Sequence, residues 1–274
     1  MKIGIANDLH FGMTGEGIYN NRIFYDRVEE ITESWVDAYN KEKLDLVIVG
    51  GDVTEEQGRA ALGSAHRVLS QLTAPWYAIP GNHDWKSVLD GSFDDVLRGH
   101  RPGTYRRYEE IGMLFFNEGV QRDGEKTMNF PITPETMDRY VSAVEQDRPH
   151  TLLIFSHVPL VSHADRPQPH NGNYGGHYAN GFELLEKLAT LLDRRIVAFS
   201  AHVHFHRIVE SAKWIQCTTG GMLEYPMEGR IAVVENDRLR LSVLQGAPPE
   251  LAEASLVQVW ARGTEQDRQG EFVL

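Results

Sequence analysis

Five short stretches of this 274-residue chain set metal-binding side chains directly behind apolar runs: DLH at 8–10, GDVTEE at 51–56, GNHD at 81–84, SHVP at 156–159 and AHVHFH at 201–206. Aspartate, asparagine and histidine together offer the mixed oxygen and nitrogen ligands that suit first-row divalent cations. Asp8, His10, Asp52, Asn82, His157, His202 and His204 are therefore candidate ligands. Taken singly, each has a plainer use. Asp8 and His10 suit a polar loop, Asp52 a helix cap, His157 a hydrogen-bonded core position, and the HVH pair a strand edge whose alternate residues share a face. Turn geometry accounts for Gly81, Asn82 and Asp84 in GNHD but gives no reason for His83. Separate accidents do not explain why the same arrangement recurs after five different apolar runs.

Those side chains need strands to gather them. KIGIA (2–6), LDLVIVG (44–50), WYAIP (76–80), GMLFF (112–116), TLLIFS (151–156) and RIVAFS (195–200) are apolar runs of strand length. Between them lie helical patterns. Phe24, Val28, Ile31, Trp35 and Tyr39 recur at spacings of three and four, and similar patterns cover about 57–72, 134–146 and 182–192. RIVES, KWIQCTT, RIAVVEN and RLRLSVL then predict short antiparallel strands. The chain is thus α/β first and β toward its end. In such folds ligands gather at the carboxyl ends of strands, where all five stretches fall. After Gln245 the APPE stretch interrupts the pattern. We expect one domain over 1–245 and a segment, 246–274, that is a tail, docks on the body through Leu256, Val257, Val259 and Trp260, or serves as an oligomer arm.

Composition narrows the function classes. A formal net charge of -12 disfavours a protein that grips nucleic-acid polymers, which rely on many lysine and arginine contacts to phosphate. A small substrate is expected instead, because bound cations can make a positive pocket in an acidic protein. No apolar run approaches the roughly 20 residues of a membrane-spanning helix. MKIGIANDLH enters a strand at once without a signal-like segment, so the expected location is the cytoplasm. The single cysteine, Cys217, reads as a buried core thiol rather than a nucleophile.

In order and spacing, the five stretches resemble the calcineurin-like metallophosphoesterase superfamily, with the style of GNHD and the His-x-His pair most similar to its branch of cyclic-nucleotide and glycerophosphodiester phosphodiesterases. The resemblance implies a four-layer αββα sandwich with two metals at the strand ends. It also implies that Asp8, His10 and His204 hold one metal, that Asn82, His157 and His202 hold the other, and that Asp52 bridges them. Manganese, iron, zinc and cobalt all fit such ligands. Two positions depart from the usual pattern: Asn7 replaces a serine or threonine, and Ala201 replaces a glycine, which matters if that turn requires positive φ. His206 is not a ligand in the family and reads as a pocket-wall or structural residue.

The implied reaction is in-line attack on phosphorus by a hydroxide held between the metals. His83 is the candidate to hydrogen-bond the phosphoryl oxygen or protonate the leaving alkoxide, and Glu55 the acidic residue that orients it. The 160–181 stretch, LVSHADRPQPHNGNYGGHYANG, suggests a loop at the cleft rim, with His163, His170, Tyr174 and His177 as candidate substrate contacts. CTTGGMLEYP (217–226) is a candidate second wall, its Gly220 and Gly221 allowing close approach. The expected activity is that of a phosphodiesterase on a small diester. Alternatives are a phosphomonoesterase, a phosphoprotein phosphatase or a nucleotide pyrophosphatase; neither GDVTEE nor GNHDWK carries the arginine usual in phosphoprotein phosphatases. A non-enzymatic metal-dependent scaffold would be marked by loss of His83 or of a bridging ligand, and both are present.

Overall fold

Strand alternation in this chain serves two opposed cores. In the computed structural model, which describes residues 1–55, 58–117, 131–163 and 176–274, β1 (Lys2–Ala6) turns Ile3 and Ile5 to one core and Ala6 to another. The same division holds in β4 (Leu46–Val49), where Leu46 and Ile48 face opposite to Val47 and Val49. Strands buried on both faces read as continuous apolar runs, which is why the sequence shows no polar alternation there.

In chain order the remaining elements are β2 (Glu16–Ile18), β3 (Arg22–Phe24), α1 (Val28–Lys41), α2 (Gly58–Leu69), β5 (Trp76–Ala78), α3 (Trp85–Leu89), α4 (Ser92–Val96), β6 (Tyr105–Tyr108), β7 (Ile111–Phe115), α5 (Pro134–Asp147), β8 (Thr151–Phe155), α6 (Gly181–Ala189), β9 (Ile196–Ser200), β10 (Arg207–Glu210), β11 (Trp214–Thr218), β12 (Glu228–Glu235), β13 (Arg238–Gln245), α7 (Pro249–Ser255), α8 (Glu265–Arg268) and β14 (Gly270–Val273). One sheet has the order β14-β13-β12-β1-β4-β5, the other β10-β11-β9-β8-β7-β6. Ile5, Ile48, Phe155, Phe199 and Cys217 pack between the sheets. The outer face of the first sheet is covered by α1 and α2 through Trp35, Val36, Leu62 and Val68, and that of the second by α5 and α6 through Met137, Tyr140, Leu184 and Leu188. The result is the expected four-layer αββα sandwich.

Two details differ from the sequence reading. KWIQCTT is antiparallel to β10 but parallel to β9, so it extends the second sheet instead of continuing a purely antiparallel end. Along the last segment Ala247, Leu251, Ala252, Ala261 and Leu274 are the buried apolar side chains, Trp260 packs partly on Phe205, and Leu256, Val257 and Val259 are exposed. Within this segment helix α8 begins with a capping box between Thr264 and Asp267.

Arg230 fastens the segment to the body. Wholly buried on β12, it donates to Thr219 Oγ1 (3.2 Å), Asp267 O (2.9 Å) and Arg268 O (3.2 Å). Arg230→Met preserves apolar volume but strips these acceptors, so we expect a stability loss of about 3 kcal/mol, read as a lower denaturant midpoint. An unchanged midpoint would show that water replaces the guanidinium at no cost.

Candidate dinuclear metal centre

The carboxyl ends of β1, β4, β5, β8 and β9 meet at one end of the sandwich, and main-chain bonds lock their loops together. Asp8 N–H donates to Gly51 O (3.1 Å), His10 N–H to Asp52 O (2.9 Å), and Ala201 N–H to His157 O (2.8 Å). His157 Nδ1 lies 2.9 Å from Gly50 O, linking the second sheet to the first. Gly81 does not adopt positive φ; its need is space, because a Cβ there would sit 2.1 Å from Asp52 Oδ1.

Backbone strain marks the same residues. Asp8 (φ 57°), His10 (φ 48°), Asp52 (φ 49°), His202 (φ 70°) and His204 (φ 52°) all lie in the left-handed region. Such conformations cost about 1–3 kcal/mol each and persist where surroundings impose them. Ala201 is not among them, so the alanine in place of glycine carries no left-handed strain. The His-x-His turn is held from outside: Tyr19 Oη donates to His202 O (3.2 Å), and Asn20 Nδ2 to Val203 O (2.9 Å) and His204 O (3.1 Å).

Asp8, His10 and His204 form one cluster, with ligand atoms within 4.8 Å of one another. His10 Nδ1 is 2.5 Å from Glu55 Oε2, and His204 Nδ1 is 2.7 Å from Glu224 Oε1. With each Nδ1–H donated to a carboxylate, both Nε2 atoms carry lone pairs, and they face each other at 3.4 Å. Neither buried oxygen of Asp8 has a hydrogen-bond partner, though Oδ1 lies 3.3 Å from His204 Nε2. An enclosed convergence of acceptors fits a cation. Without one, burial opposes a charge on His204, but Asp8 and Glu224 outweigh burial and hold its pKa well above the usual imidazole value.

Asp52, His157 and His202 form a second cluster. His157 Nε2 is 3.1 Å from Asp52 Oδ2 and 3.1 Å from Asn82 Oδ1, so the amide joins this group as a neutral oxygen. Asp52 Oδ1 accepts the His83 N–H at 2.8 Å. That leaves Oδ2 as the oxygen turned to His157. His202 is depressed to about 3 by burial and by neighbouring His157, which suits a neutral donor.

Between the clusters and the surface stands His83, a quarter exposed, with Nδ1 2.8 Å from Glu55 Oε1. Glu55 therefore binds His10 and His83 at once. Burial would raise its pKa, but hydrogen bonds to both histidines hold it well below the usual carboxylate range. The His83 and His10 rings meet edge-on with centroids 5.1 Å apart. The Nδ1 contact with Glu55 sets the orientation of the His83 ring.

Three residues that build the site were not singled out in the sequence. Asp84 is fully buried and accepts N–H bonds from Val53 (3.0 Å), Thr54 (2.8 Å) and Gly81 (2.9 Å), joining the Asp52 loop to the GNHD loop. Burial, then the charge of Asp52, pushes it up to about 6. Glu224 and Asn21 lie behind His204, where 217–224 is buried, so that segment backs His204 instead of walling a cleft. An isolated acid among the apolar and glycine residues of TTGGMLEYP was the available signal. His206 is structural: it is wholly buried, and its Nδ1 accepts from Gly220 N (3.3 Å) and Arg230 (3.3 Å). Of the rim candidates, His163 is buried, its Nε2 2.9 Å from Thr218 Oγ1, and His177 is half-buried. His170 and Tyr174 lie outside the described residues.

Comparison with known proteins bears on the family and the fold. A model of the calcineurin-like phosphoesterase family matches residues 1–206. A curated relative from Fibrobacter succinogenes, described as a probable cyclic nucleotide phosphodiesterase, is 29% identical over 119 residues, or 42% of this chain and 43% of the relative. The matched part thus spans less than half the length of that protein. Among solved structures, a dimetal phosphatase from Danio rerio superposes with a TM-score of 0.67 at 13% identity, covering 90% of this chain and 98% of the other. GAP50, described as the anchor in the inner membrane complex of Plasmodium, superposes at 0.57 with 10% identity, covering 92% and 86%. At such identities the likeness is one of fold. Among the described residues no helix is long and apolar enough to cross a membrane.

Proposed function

We propose, for a chain that belongs to the calcineurin-like phosphoesterase family, that it hydrolyses small phosphodiesters with the aid of two bound transition-metal ions. The observation that carries this reading is the convergence of Asp8, His10, Asp52, Asn82, His157, His202 and His204 into two clusters of metal-binding side chains beside His83. When bound, the two cations would supply an acidified water and neutralise phosphoryl charge. Asp8, His10 and His204 would hold one cation and Asn82, His157 and His202 the other, with Asp52 shared. His83 Nε2 would then hydrogen-bond a phosphoryl oxygen or hand a proton to the departing alkoxide, and Glu55 would keep its ring turned to do so.

The fold alone does not separate a hydrolase from a scaffold, since one structural neighbour is described as an anchor. The intact ligand set and the His83–Glu55 pair support hydrolysis. The diester preference rests on the similarity in motif style and on the relative described as a probable cyclic nucleotide phosphodiesterase. Metal-free protein reloaded with manganese, iron or zinc should turn over bis-p-nitrophenyl phosphate faster than p-nitrophenyl phosphate. Asn82→Ala should lower that turnover roughly 10- to 100-fold by weakening one cation. Faster monoester turnover would move the protein to the phosphomonoesterase alternative, and two bound metals without turnover of either ester would favour the scaffold.

A further inference from the structure

We propose that Glu224 is a positioning residue of the metal centre: it fixes His204 in the tautomer that presents Nε2 to Asp8 and His10, and Asn21 ties its carboxylate to the C-terminal segment. The proposal rests on reading the two clusters as metal sites. It concerns a residue beyond 1–206, the stretch matched by the family model.

A carboxylate buried at 1% exposure is costly unless its oxygens are bonded, and both of Glu224's are. Oε1 lies 2.7 Å from His204 Nδ1, and Oε2 accepts the Asn21 N–H at 2.6 Å. A proton on His204 Nδ1 directed at Glu224 leaves the Nε2 lone pair aimed at the cluster. A carboxylate behind a ligating imidazole also makes the ring a better donor to a cation. His10 has the same support from Glu55, whereas His157 has only the neutral carbonyl of Gly50. Both imidazoles of the Asp8–His10–His204 cluster thus have a carboxylate at Nδ1.

Asn21 is the second half of the device. Its Oδ1 accepts from Val257 N (2.7 Å) and Gln258 N (2.6 Å), and its Nδ2 donates to Tyr225 O (3.0 Å). Ser255 Oγ accepts the Tyr225 N–H (2.7 Å) and donates to Arg22 O (2.6 Å). Farther along, Ala261 O accepts the His206 N–H at 3.0 Å, two residues past His204. The segment after β13 thereby closes on both the Glu224 turn and the His-x-His turn.

The test is calorimetric titration of metal-free protein with manganese at fixed pH, with thermal melting of the metal-free form as the control for folding. Wild type should bind two ions. Glu224→Gln, which keeps the volume and removes the charge, should weaken one site about 10- to 100-fold and leave the other unchanged. Asn82→Ala should weaken the other site, and the double variant both. Asn21→Ala, which retains the main-chain donor to Glu224, should weaken the Glu224-dependent site by a smaller factor. A merely structural Glu224 would lower the melting temperature without separating the two affinities, and that result overturns the proposal, as do two wild-type affinities in Glu224→Gln. Should that variant fail to fold, an Asn21→Ala protein with both affinities unchanged overturns it equally. Wild type that binds fewer than two ions would instead overturn the metal-centre reading beneath it.

Discussion

Asp52→Ala is expected to lower kcat/KM for bis-p-nitrophenyl phosphate by roughly 10³-fold, about 4 kcal/mol of transition-state stabilisation. The size follows from how much meets at one carboxylate. Oδ2 lies 3.1 Å from His157 Nε2, and Oδ1 anchors the main chain of His83 at 2.8 Å. Removing the side chain takes away the anionic ligand proposed to be shared by the two cations and also releases the loop that carries the proposed proton donor. Asp52→Asn separates those effects, since the amide still accepts the His83 N–H but brings no charge. We expect it to fall between wild type and Asp52→Ala, with metal content by elemental analysis lower than wild type. An Asp52→Ala enzyme within tenfold of wild type and carrying two ions would refute the shared-ligand assignment.

The sequence exposed the contents of the site more readily than its supports, for a physical reason. Ligands are polar residues placed after apolar strands, and the contrast is visible in one dimension. Supports act through distance in space: Asp84 joins the loops after β4 and β5, Asn21 meets Val257 across the fold, and Glu224 reaches His204 from a different turn. Turn chemistry predicts Asp84 as an ordinary turn residue, so its N–H bonds to Val53 and Thr54 could not be read from GNHD. The fold shows a similar division. Strand-length apolar runs announced β1, β4, β8 and β9, but nothing local in KWIQCTT distinguishes a parallel partner on one edge from an antiparallel one on the other. Leu256, Val257 and Val259 suggested docking by hydropathy, yet the segment is attached through the pairing of β14 with β13, through main-chain bonds to Asn21 and Arg230 and through smaller side chains such as Ala261.

His83→Ala should lower kcat by about 10²- to 10⁴-fold for a diester with an alkyl leaving group, while metal content stays at the wild-type value. The leaving group decides the size of the loss. An alkoxide needs a proton as it departs, so it depends on a positioned donor, whereas p-nitrophenolate is stable near neutral pH and depends on one far less. The variant should therefore show a steeper dependence of rate on leaving-group basicity than wild type, and that slope tests the role of His83 more sharply than one rate does. Glu55→Gln should steepen the slope less, because His83 remains but its orientation is weakened. It should also weaken one metal site, because Glu55 Oε2 lies 2.5 Å from His10 Nδ1. Equal losses for alkyl and p-nitrophenyl esters in His83→Ala would assign the histidine to phosphoryl-oxygen binding instead. His83 Nδ1 faces Glu55 Oε1 at 2.8 Å in either case, and the slope identifies which of the two roles the ring serves.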